Sequence, residues 1–338
     1  MKAYAIREFG IEKLAMAERD MPVPGPGEVL VRLHAASLNF RDVMVVSGKY
    51  NPRMKLPAVP LSDGAGEVVE VGSGVSKWMA GDRVMPTLVQ GWIDGGPSAV
   101  KRKTSLGAGA EWDGVLREYA AFSEDGLVLI PEYLTYEEAS TLPCAALTAW
   151  HALIVSGGIK PGETVLTQGS GGVAVFALQF AKMAGARVIA TSSSDEKLVR
   201  LKELGADECI NYRDVPDWDR VVLDLTGRDG VDHVVEIGGA GTLERSVRAV
   251  RIGGHIAMIG SLTGSEEFDP IPLFMKAVRL QGIFVGSRVM FEEMSKAIEH
   301  AQLKPVVERV YDFHAAAEAL EFLQTGNHLG KIVIRVGG

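Results

Sequence analysis

The chain has 338 residues, and 47% of them are hydrophobic, which is enough apolar material for two domains of ordinary size. Its 35 basic and 43 acidic side chains give a formal net charge of −8, with no block of like charge. This balance argues against a nucleic acid or an anionic membrane as a partner. The two cysteines, Cys144 and Cys209, fit a reducing compartment, and they exclude both a disulfide framework and a four-thiolate zinc lobe.

The N-terminal segment, MKAYAIREFG, has the pattern of a charged, alternating strand and lacks the apolar run of a secretion signal. No window reaches the roughly 18 consecutive apolar residues that are typical of a membrane span. We therefore expect a cytoplasmic protein that has no membrane partner.

Residues 24–125 predict a β-rich domain. Several segments alternate or run apolar between Gly and Pro residues, namely GEVLVRLHAASL, GAGEVVEVGSGV, GDRVMP and REYAAFS. Residues 87–114 have no periodicity and much glycine. They predict a long loop, of the kind that often serves as a lid or a binding loop.

The pattern changes after LPCAALTAWHAL. Short apolar strands alternate with helix-like segments, as in ETVLTQ, VAVFALQFAKMAG, ARVIAT, DEKLVRLKELG and HVVEI. This alternation predicts an α/β fold with a doubly wound parallel sheet and helices on both faces. Near the end, FEEMSKAIEHAQL and HAAAEALEFLQTG predict two amphipathic helices, and GKIVIRV predicts a closing strand.

The most specific motif is a glycine-rich turn. Gly169, Gly171 and Ala174 match a G-x-G-x-x-(G/A) pattern directly after a strand and at the start of a helix. The first Gly permits a tight turn, the second lets the backbone approach a pyrophosphate, and the helix N-terminus offers free N–H groups to the anion. An ordinary strand-to-helix turn is the alternative, but a second strand, ARVIATS, at the expected distance favours dinucleotide binding.

The end of that second strand indicates which nucleotide is bound. Sites for NAD usually place an acidic residue about 20 residues beyond the first Gly, whereas this chain has hydroxyl residues at 191–194. Asp195 follows, but it better fits a helix cap or first turn. Ser193, Lys197 and Tyr212 offer hydroxyls and a cation that suit a phosphate, so we expect NADPH rather than NADH. The alternative for Lys197 is a solvated helix charge.

The order of these motifs resembles the medium-chain dehydrogenase/reductase superfamily across nearly the whole chain. Within it, LNFRD, SGKY, the serine run with Lys197, and INY resemble the zinc-free quinone oxidoreductase branch. The resemblance implies a Rossmann dinucleotide-binding domain at 126–288. It also implies a β-rich, GroES-like catalytic domain formed by 1–125 and 289–338.

The resemblance also bears on zinc. Zinc-dependent members place a cysteine at the position of Asn39, a Gly-His-Glu at residues 61–63, and a second cysteine at Cys144, but only Cys144 matches. A catalytic zinc needs three protein ligands of the Cys, His or carboxylate type. The structural zinc lobe is also absent, since residues 87–114 contain no cysteine. We therefore expect an enzyme without a metal.

The resemblance assigns roles to individual residues. Asn39 would hydrogen-bond near the nicotinamide ribose or the substrate, Asp42 would brace the loop, and Tyr50 would be the proton donor. The alternatives are turn formers for Asn39 and Asp42 and a packing residue for Tyr50. Together with Asn39, the residues expected to bind the cofactor are Thr148, Gly169, Gly171, Gly172, Val173, Ser193, Lys197, Tyr212, Ile259, Val285 and Ser287.

Other polar residues have simpler interpretations. Thr148 could be a buried helix hydroxyl bonded to its own backbone, and Cys144 a small core residue. His34 and His151 are interpreted as structural. Arg41 and the basic run at 101–103 could meet an anionic substrate, but we interpret them as solvated loop charges.

Without a metal to polarise an oxygen atom, hydride transfer is easiest to acceptors that conjugation already activates, such as quinones, enones and enoyl thioesters. The sequence therefore predicts an NADPH-dependent reductase of small molecules. The alternatives are a metal-free NADP-dependent alcohol dehydrogenase and an NADPH-binding sensor or structural protein with little catalysis. The segment RLQGIFVG predicts an edge strand that pairs across a two-fold axis in a homodimer, unless a loop covers it.

Overall fold

The computed structural model describes residues 1–108, 112–264 and 267–337, so residues 109–111 of the predicted loop lie outside the described residues. The chain divides into two compact units, Met1–Leu147 with Val285–Gly338, and Thr148–Phe284. The domain bounds predicted from the sequence, at residues 126 and 288, differ from these units mainly at the first bound.

The described residues form fifteen strands and eleven α-helices. Among the described residues, the strands are β1 Lys2–Ala5, β2 Ala15–Glu18, β3 Glu28–Ser37, β4 Asp63–Val71, β5 Arg83–Pro86, β6 Tyr119–Ser123, β7 Leu127–Leu129, β8 Thr164–Gln168, β9 Arg187–Ser192, β10 Glu208–Asn211, β11 Val231–Glu236, β12 Val250–Met258, β13 Arg279–Gly282, β14 Val307–Asp312 and β15 Lys331–Arg335. The α-helices are α1 Phe40–Val46, α2 Ala99–Arg102, α3 Tyr136–Ala139, α4 Leu147–Trp150, α5 Gly172–Met183, α6 Asp195–Glu203, α7 Trp218–Leu225, α8 Ala240–Ala249, α9 Ile271–Met275, α10 Arg288–Ala301 and α11 Ala316–Thr325.

The first unit is rich in β-structure, as predicted. Its larger sheet has the order β14-β15-β3-β4-β5-β7, with β6 also paired to β3, and β1 and β2 form a separate hairpin. All these pairs are antiparallel except β14 with β15. The core of this unit includes Val31, Leu33, Phe122, Leu320 and Ile332. Each such side chain stabilises the fold by about 1.5–3 kcal/mol through its burial.

The second unit is a doubly wound parallel sheet, which confirms the predicted fold class. Its strand order is β10-β9-β8-β11-β12-β13, and every pair is parallel. The order reverses between β8 and β11, and ligands of such sheets bind outside the carboxyl ends of the strands at this point. Apolar residues from successive strands and helices, among them Leu166, Ile189, Trp218 and Ile256, form its core.

The two helices predicted near the end of the chain are confirmed. In α10 the buried residues Phe291, Met294, Ser295 and Ile298 recur at the three- and four-residue spacing of one helical face. Helix α11 ends at Gly326, whose left-handed φ of 69° is a common helix stop. The predicted loop at 87–114 contains the short helix α2.

One helical segment of the described residues, Tyr136–Gly157, is long and apolar enough to cross a membrane by length and composition alone. In the protein, 72% of its most apolar window is buried. The segment includes two π-helical stretches, Leu142–Ala146 and His151–Gly157. Threonine and histidine residues interrupt its apolar run, so the segment does not stand out in the sequence.

Candidate active site

The glycine-rich turn lies at the carboxyl edge of the parallel sheet, directly after β8. Gly169 has a φ of 75°, which a residue with a side chain rarely adopts, and a Cβ there would lie 3.3 Å from Ile237 Cδ1. Gly171 is the N-cap of α5, and Gly172 and Val173 begin its first turn. Since the first N–H groups of a helix have no partner within it, this turn offers several donors to an anion.

A buried carboxylate fixes the neighbouring turn. Glu236, the last residue of β11, is fully buried. Each of its two oxygens accepts more than one hydrogen bond. The donors are Gly238 N and Gly239 N at 2.9 Å, Thr242 Oγ1 at 2.6 Å, Gln168 Nε2 at 2.8 Å, and Ser246 Oγ. Glu236 therefore ties the turn after β11 to the end of β8, beside Gly169.

The residues predicted to bind the ribose phosphate lie along the same edge of the sheet. Ser193 follows β9, and Lys197 is in the first turn of α6, where its backbone N donates to Ser194 Oγ at 3.4 Å. Tyr212 follows β10, and its backbone N donates to Ser192 O at 3.0 Å. The ends of two adjacent parallel strands thus place the serine, the lysine and the phenol at one end of the sheet.

Asp195 lies in the first turn of α6, in agreement with its predicted first-turn role, whereas Ser194 is the N-cap. Its Oδ1 accepts a hydrogen bond from Asn211 Nδ2 at 2.8 Å. This bond joins the start of the helix to the end of β10. The Asp195 carboxylate therefore has a structural role, because it is hydrogen-bonded within the protein.

The remaining predicted cofactor residues are divided between the units. Thr148 is buried in α4, and Ile259 follows β12, with its backbone N donating to Glu236 O at 2.8 Å. Val285 and Ser287 belong to the β-rich unit. Ser287 is buried, and its hydroxyl caps α10 by accepting from Met290 N at 3.2 Å.

In the β-rich unit, the segment LNFRD ends β3 and begins α1. Asn39 is the N-cap of α1, and the Asp42 carboxylate accepts a hydrogen bond from Asn39 N at 2.8 Å. Asp42 is fully buried. Burial raises the pKa of Asp42 to about 6, and the nearby charge of Arg41 opposes this rise. Asp42 therefore holds the backbone of the segment from inside the protein.

A buried ammonium group holds the Asn39 side chain. Lys331, at the start of β15, is 2% exposed, and its Nζ donates to Leu38 O and Asn39 Oδ1 at 2.6 Å each. It lies 3.8 Å from Asp63 Oδ2. Burial raises the pKa of Asp63, while Lys331 and the Asn39 amide lower it. Asn39 Nδ2 nevertheless makes no hydrogen bond of good geometry to any described residue.

The backbone before Asp63 is strained and closely packed. Leu61 is fully buried with a φ of 68°, in the left-handed region that few residues other than glycine adopt. A Cβ on Gly114 would lie 2.1 Å from Leu61 O, so only glycine fits there. Ser62 Oγ then donates to Asp63 Oδ1 at 2.8 Å, which fixes one carboxylate oxygen.

Arg41 lies in α1 and is mostly shielded from solvent, so its interpretation as a solvated loop charge is wrong. Its side chain is 13% exposed, and Nη2 donates to Leu106 O at 3.3 Å. The guanidinium lies 5.3 Å from the centre of the Tyr50 ring, which is itself partly exposed. Within the basic run at 101–103, in contrast, Arg102 and Lys103 are exposed.

The positions that would carry zinc ligands in related enzymes do not form a metal site. No three His, Cys, Asp or Glu residues in the described part of the chain could hold a metal ion together. Asn39 Oδ1 and Asp63 both face the Lys331 ammonium. Burial and the charge of Asp63 raise the pKa of Cys144 to about 12, whereas a zinc ligand must be a thiolate. The residues present do not fit a catalytic zinc.

Most of the predicted residues lie in two groups, one along the parallel sheet and one around α1 with Asn39 and Tyr50. Other elements hold Thr148, Val285 and Ser287. Glu236 and Lys331 are functional residues that were not predicted from the sequence, and Asp63 had no predicted role of its own. Each is a charged residue at the end of an apolar strand, as in VVE and KIVI. A lone charge in that position is a signal that could have identified them.

Comparisons with known proteins agree with this geometry. Two family models match the chain, one for an alcohol dehydrogenase GroES-like domain at residues 25–132 and one for a zinc-binding dehydrogenase at residues 172–302. A zinc-type alcohol dehydrogenase-like protein of Schizosaccharomyces pombe is 41% identical over 336 residues, which cover 97% of this chain and 96% of that protein.

Two solved structures, one named for NAD and one in complex with NADPH, are also similar to this chain. The crystal structure of an NAD-dependent alcohol dehydrogenase is 37% identical, with a TM-score of 0.91 and 100% coverage of both chains. The quinone oxidoreductase of Escherichia coli in complex with NADPH is 25% identical, with a TM-score of 0.84 and coverage of 99% of this chain and 100% of that chain. Because the matches extend over nearly the whole chain and reach 41% identity, this protein is an oxidoreductase that belongs to the medium-chain dehydrogenase/reductase superfamily.

Proposed function

We propose that this protein is a zinc-independent, NADPH-dependent oxidoreductase that transfers hydride to a quinone or a conjugated carbonyl compound. The observation that carries the proposal is the buried Lys331 ammonium, which binds Asn39 and faces Asp63 at positions where zinc-dependent relatives need ligands. Since these residues offer no Lewis acid, an acceptor that conjugation already activates is the easiest to reduce. NADPH supplies the hydride when it is bound.

The choice of NADPH is supported by the carboxyl edge of the parallel sheet. Strand β9 ends in Ser192 and is followed by Ser193, so no carboxylate stands at its end to repel a 2′-phosphate. Lys197 and Tyr212 flank the same position. The NADPH complex of the Escherichia coli quinone oxidoreductase supports this choice, and the NAD-dependent relative represents the alternative.

An assay with a panel of acceptors tests the proposal. We expect NADPH to be consumed with quinones, enones and enoyl thioesters, more slowly when Asn39 or Tyr50 is substituted. NADPH should bind about 10-fold or more tightly than NADH, because one or two charge-assisted hydrogen bonds to the 2′-phosphate contribute about 1.5–3 kcal/mol each. The rates should not change when a chelator is added, and metal analysis should find no stoichiometric zinc.

Other outcomes of the same assay support the alternatives. Oxidation of alcohols with NADP, without reduction of conjugated acceptors, would identify a metal-free alcohol dehydrogenase. If NADPH raises the melting temperature while every acceptor leaves it unoxidised, the protein is a sensor or structural protein. One zinc per chain, together with activity that a chelator abolishes, would overturn the zinc-independent proposal.

We propose a cytoplasmic location for the protein. Cys144 and Cys209 are free thiols, which supports a reducing compartment.

We also propose a homodimer in which the edge strand β13 pairs with its symmetry mate. All four residues of β13 are exposed, including Leu280. The neighbouring side chains of Ile252, Phe274 and Met275 are 65–72% exposed. An open strand edge beside exposed apolar side chains favours pairing between chains.

Sedimentation at micromolar concentration is expected to show a dimer for the unmodified chain. In Leu280→Lys combined with Phe274→Glu, charges at the edge should shift the protein to a monomer. Val199→Lys is the matched control, since Val199 is 59% exposed on α6 and away from β13. A wild-type monomer, or an unchanged dimer in the double variant, would contradict this proposal.

A further inference from the structure

Arg41 is a buried cation beside a residue at the protein surface. Its side chain is 13% exposed, and its guanidinium lies 5.3 Å from the centre of the Tyr50 ring, whereas Tyr50 is 41% exposed. The electron-rich face of an aromatic ring attracts a cation. The two side chains therefore stabilise each other at the boundary between the interior and solvent.

The hydrogen-bond donors of Arg41 are only partly used. Nη2 donates to Leu106 O, but Nη1 is buried and makes no hydrogen bond within the described residues. Asp42 Oδ1 lies 3.6 Å from Nη1, which is too far for a hydrogen bond. Asn39 Nδ2, two residues earlier, forms no hydrogen bond of good geometry but interacts with the Asp63 carboxylate. Native proteins rarely leave a buried N–H group without a hydrogen bond, so Arg41 Nη1 beside the exposed Tyr50 favours an oxygen that a ligand supplies.

The other cation of this cluster is already engaged. Lys331 Nζ donates to Leu38 O and Asn39 Oδ1. Burial disfavours the charged form of Arg41, but neighbouring anionic groups, with Asp42 first among them, outweigh burial and raise the pKa of Arg41. The guanidinium therefore stays charged at neutral pH, and its Nη1 makes an ion pair with Asp42 but no hydrogen bond.

We propose that Arg41 Nη1 donates a hydrogen bond to the carbonyl oxygen of the acceptor and stabilises the negative charge that develops there during reduction. This inference rests on the proposed function and adds the group that takes the electrophilic role of a metal. A fixed, positively charged donor in a site that excludes water is an effective stabiliser of an oxyanion.

With an enone, one hydride transfer and one proton transfer reduce the C=C bond. The β-carbon receives the hydride with its electron pair and forms a C–H bond. The π electrons of the C=C bond move to the α-carbon and carbonyl carbon, and those of the C=O bond move to oxygen, which gives an enolate held by Arg41. The α-carbon then takes the proton of the Tyr50 hydroxyl as the C=O bond re-forms, and the phenolate regains a proton from water. The products are the saturated ketone and the oxidised nucleotide.

Replacing Arg41 with methionine tests this role, because methionine keeps the apolar stem and removes the charge and the donors. With an enone and NADPH, kcat is expected to fall by about 10²-fold, the usual effect of losing one oxyanion donor. The Kd for NADPH should stay within about twofold. Binding of 4-nitrophenolate, a stable mimic of the enolate, should weaken by about 10-fold or more, and Arg41→Lys should recover part of both losses.

Arg53→Met is the matched control, since Arg53 is exposed and lies in the same unit. The inference is overturned if Arg41→Met equals Arg53→Met in both kcat and 4-nitrophenolate affinity. If Arg41→Met does not fold, Arg41→Lys decides: a lowered kcat with an unchanged melting temperature supports the role, and wild-type kcat and phenolate affinity contradict it. If no acceptor is reduced at all, the proposed function fails, and phenolate binding still tests Arg41 by itself.

Discussion

Replacing Glu236 with alanine is expected to lower the free energy of unfolding by about 3–5 kcal/mol and to weaken NADPH binding by about 10-fold or more. The carboxylate is fully buried and accepts hydrogen bonds from the backbone N–H groups of Gly238 and Gly239 and from three side chains. Without it, these donors lose their acceptors in the interior. The turn they fix contacts Gly169, so nucleotide binding suffers as well.

Denaturant unfolding and a fluorescence titration with NADPH measure the two effects. Glu244→Ala is the matched control, because Glu244 lies on α8, is 70% exposed, and pairs only at the surface with Arg248. Its loss should cost at most about 1 kcal/mol. Similar unfolding midpoints for the Glu236 and Glu244 variants would show that the network has little energetic weight. Where Glu236→Ala does not fold, Glu236→Gln, which retains one acceptor oxygen, provides a milder comparison.

The second large effect is a loss of stability in acid that depends on His255. Burial, followed by the charge of Arg279 and the neighbouring His233, lowers the pKa of His255 from 6.5 to about 3. Between pH 6.5 and 3 the unfolded chain therefore binds a proton that the folded chain does not. The stability that the neutral imidazole provides is present above pH 6.5 and is lost as the pH falls, at up to about 1.4 kcal/mol per pH unit.

Equilibrium unfolding of wild type and His255→Asn between pH 4 and 7 isolates this contribution. Other groups oppose it, since Asp42, with a pKa of about 6, favours the folded state as the pH falls below that value. The contribution of Asp42 is the same in both proteins, so it cancels when their free energies of unfolding are subtracted. Asparagine does not titrate, so the variant should lose less stability in acid than wild type. His300→Asn, at an exposed position, should follow wild type. If the free energy of unfolding changes with pH in the same way in all three proteins, the prediction is wrong.

Local patterns made much of the fold predictable. The alternation of apolar strands and helices gave the parallel sheet, and the position of Gly169 and Gly171 between a strand and a helix gave the turn at its edge. These signals lie within a few residues of one another. Their physical cause, backbone conformation and the periodicity of burial, acts over the same short distance.

The missed residues depend on contacts between distant parts of the chain. Lys331 bonds to Asn39 over a separation of 292 residues, and Glu236 bonds to Gln168 over 68 residues. No local pattern reports which polar groups will meet after folding. The interpretation of Arg41 as a solvated charge was wrong for the same reason. Its acceptor, Leu106 O, comes from a loop 65 residues away, and this contact shields the guanidinium from solvent.

The place of β15 in the β-rich sheet has a consequence for the order of folding. This strand follows all of the parallel sheet in the chain, yet it pairs with β3 and brings Lys331 to Asn39. During synthesis, the six strands of the parallel sheet therefore emerge before the other sheet is complete. Until β15 arrives, residues 35–37 of β3 lack the strand partner on one edge and Asp63 lacks Lys331. The growing chain thus carries Asp63 and Asn39 without their Lys331 partner until its last strand is made.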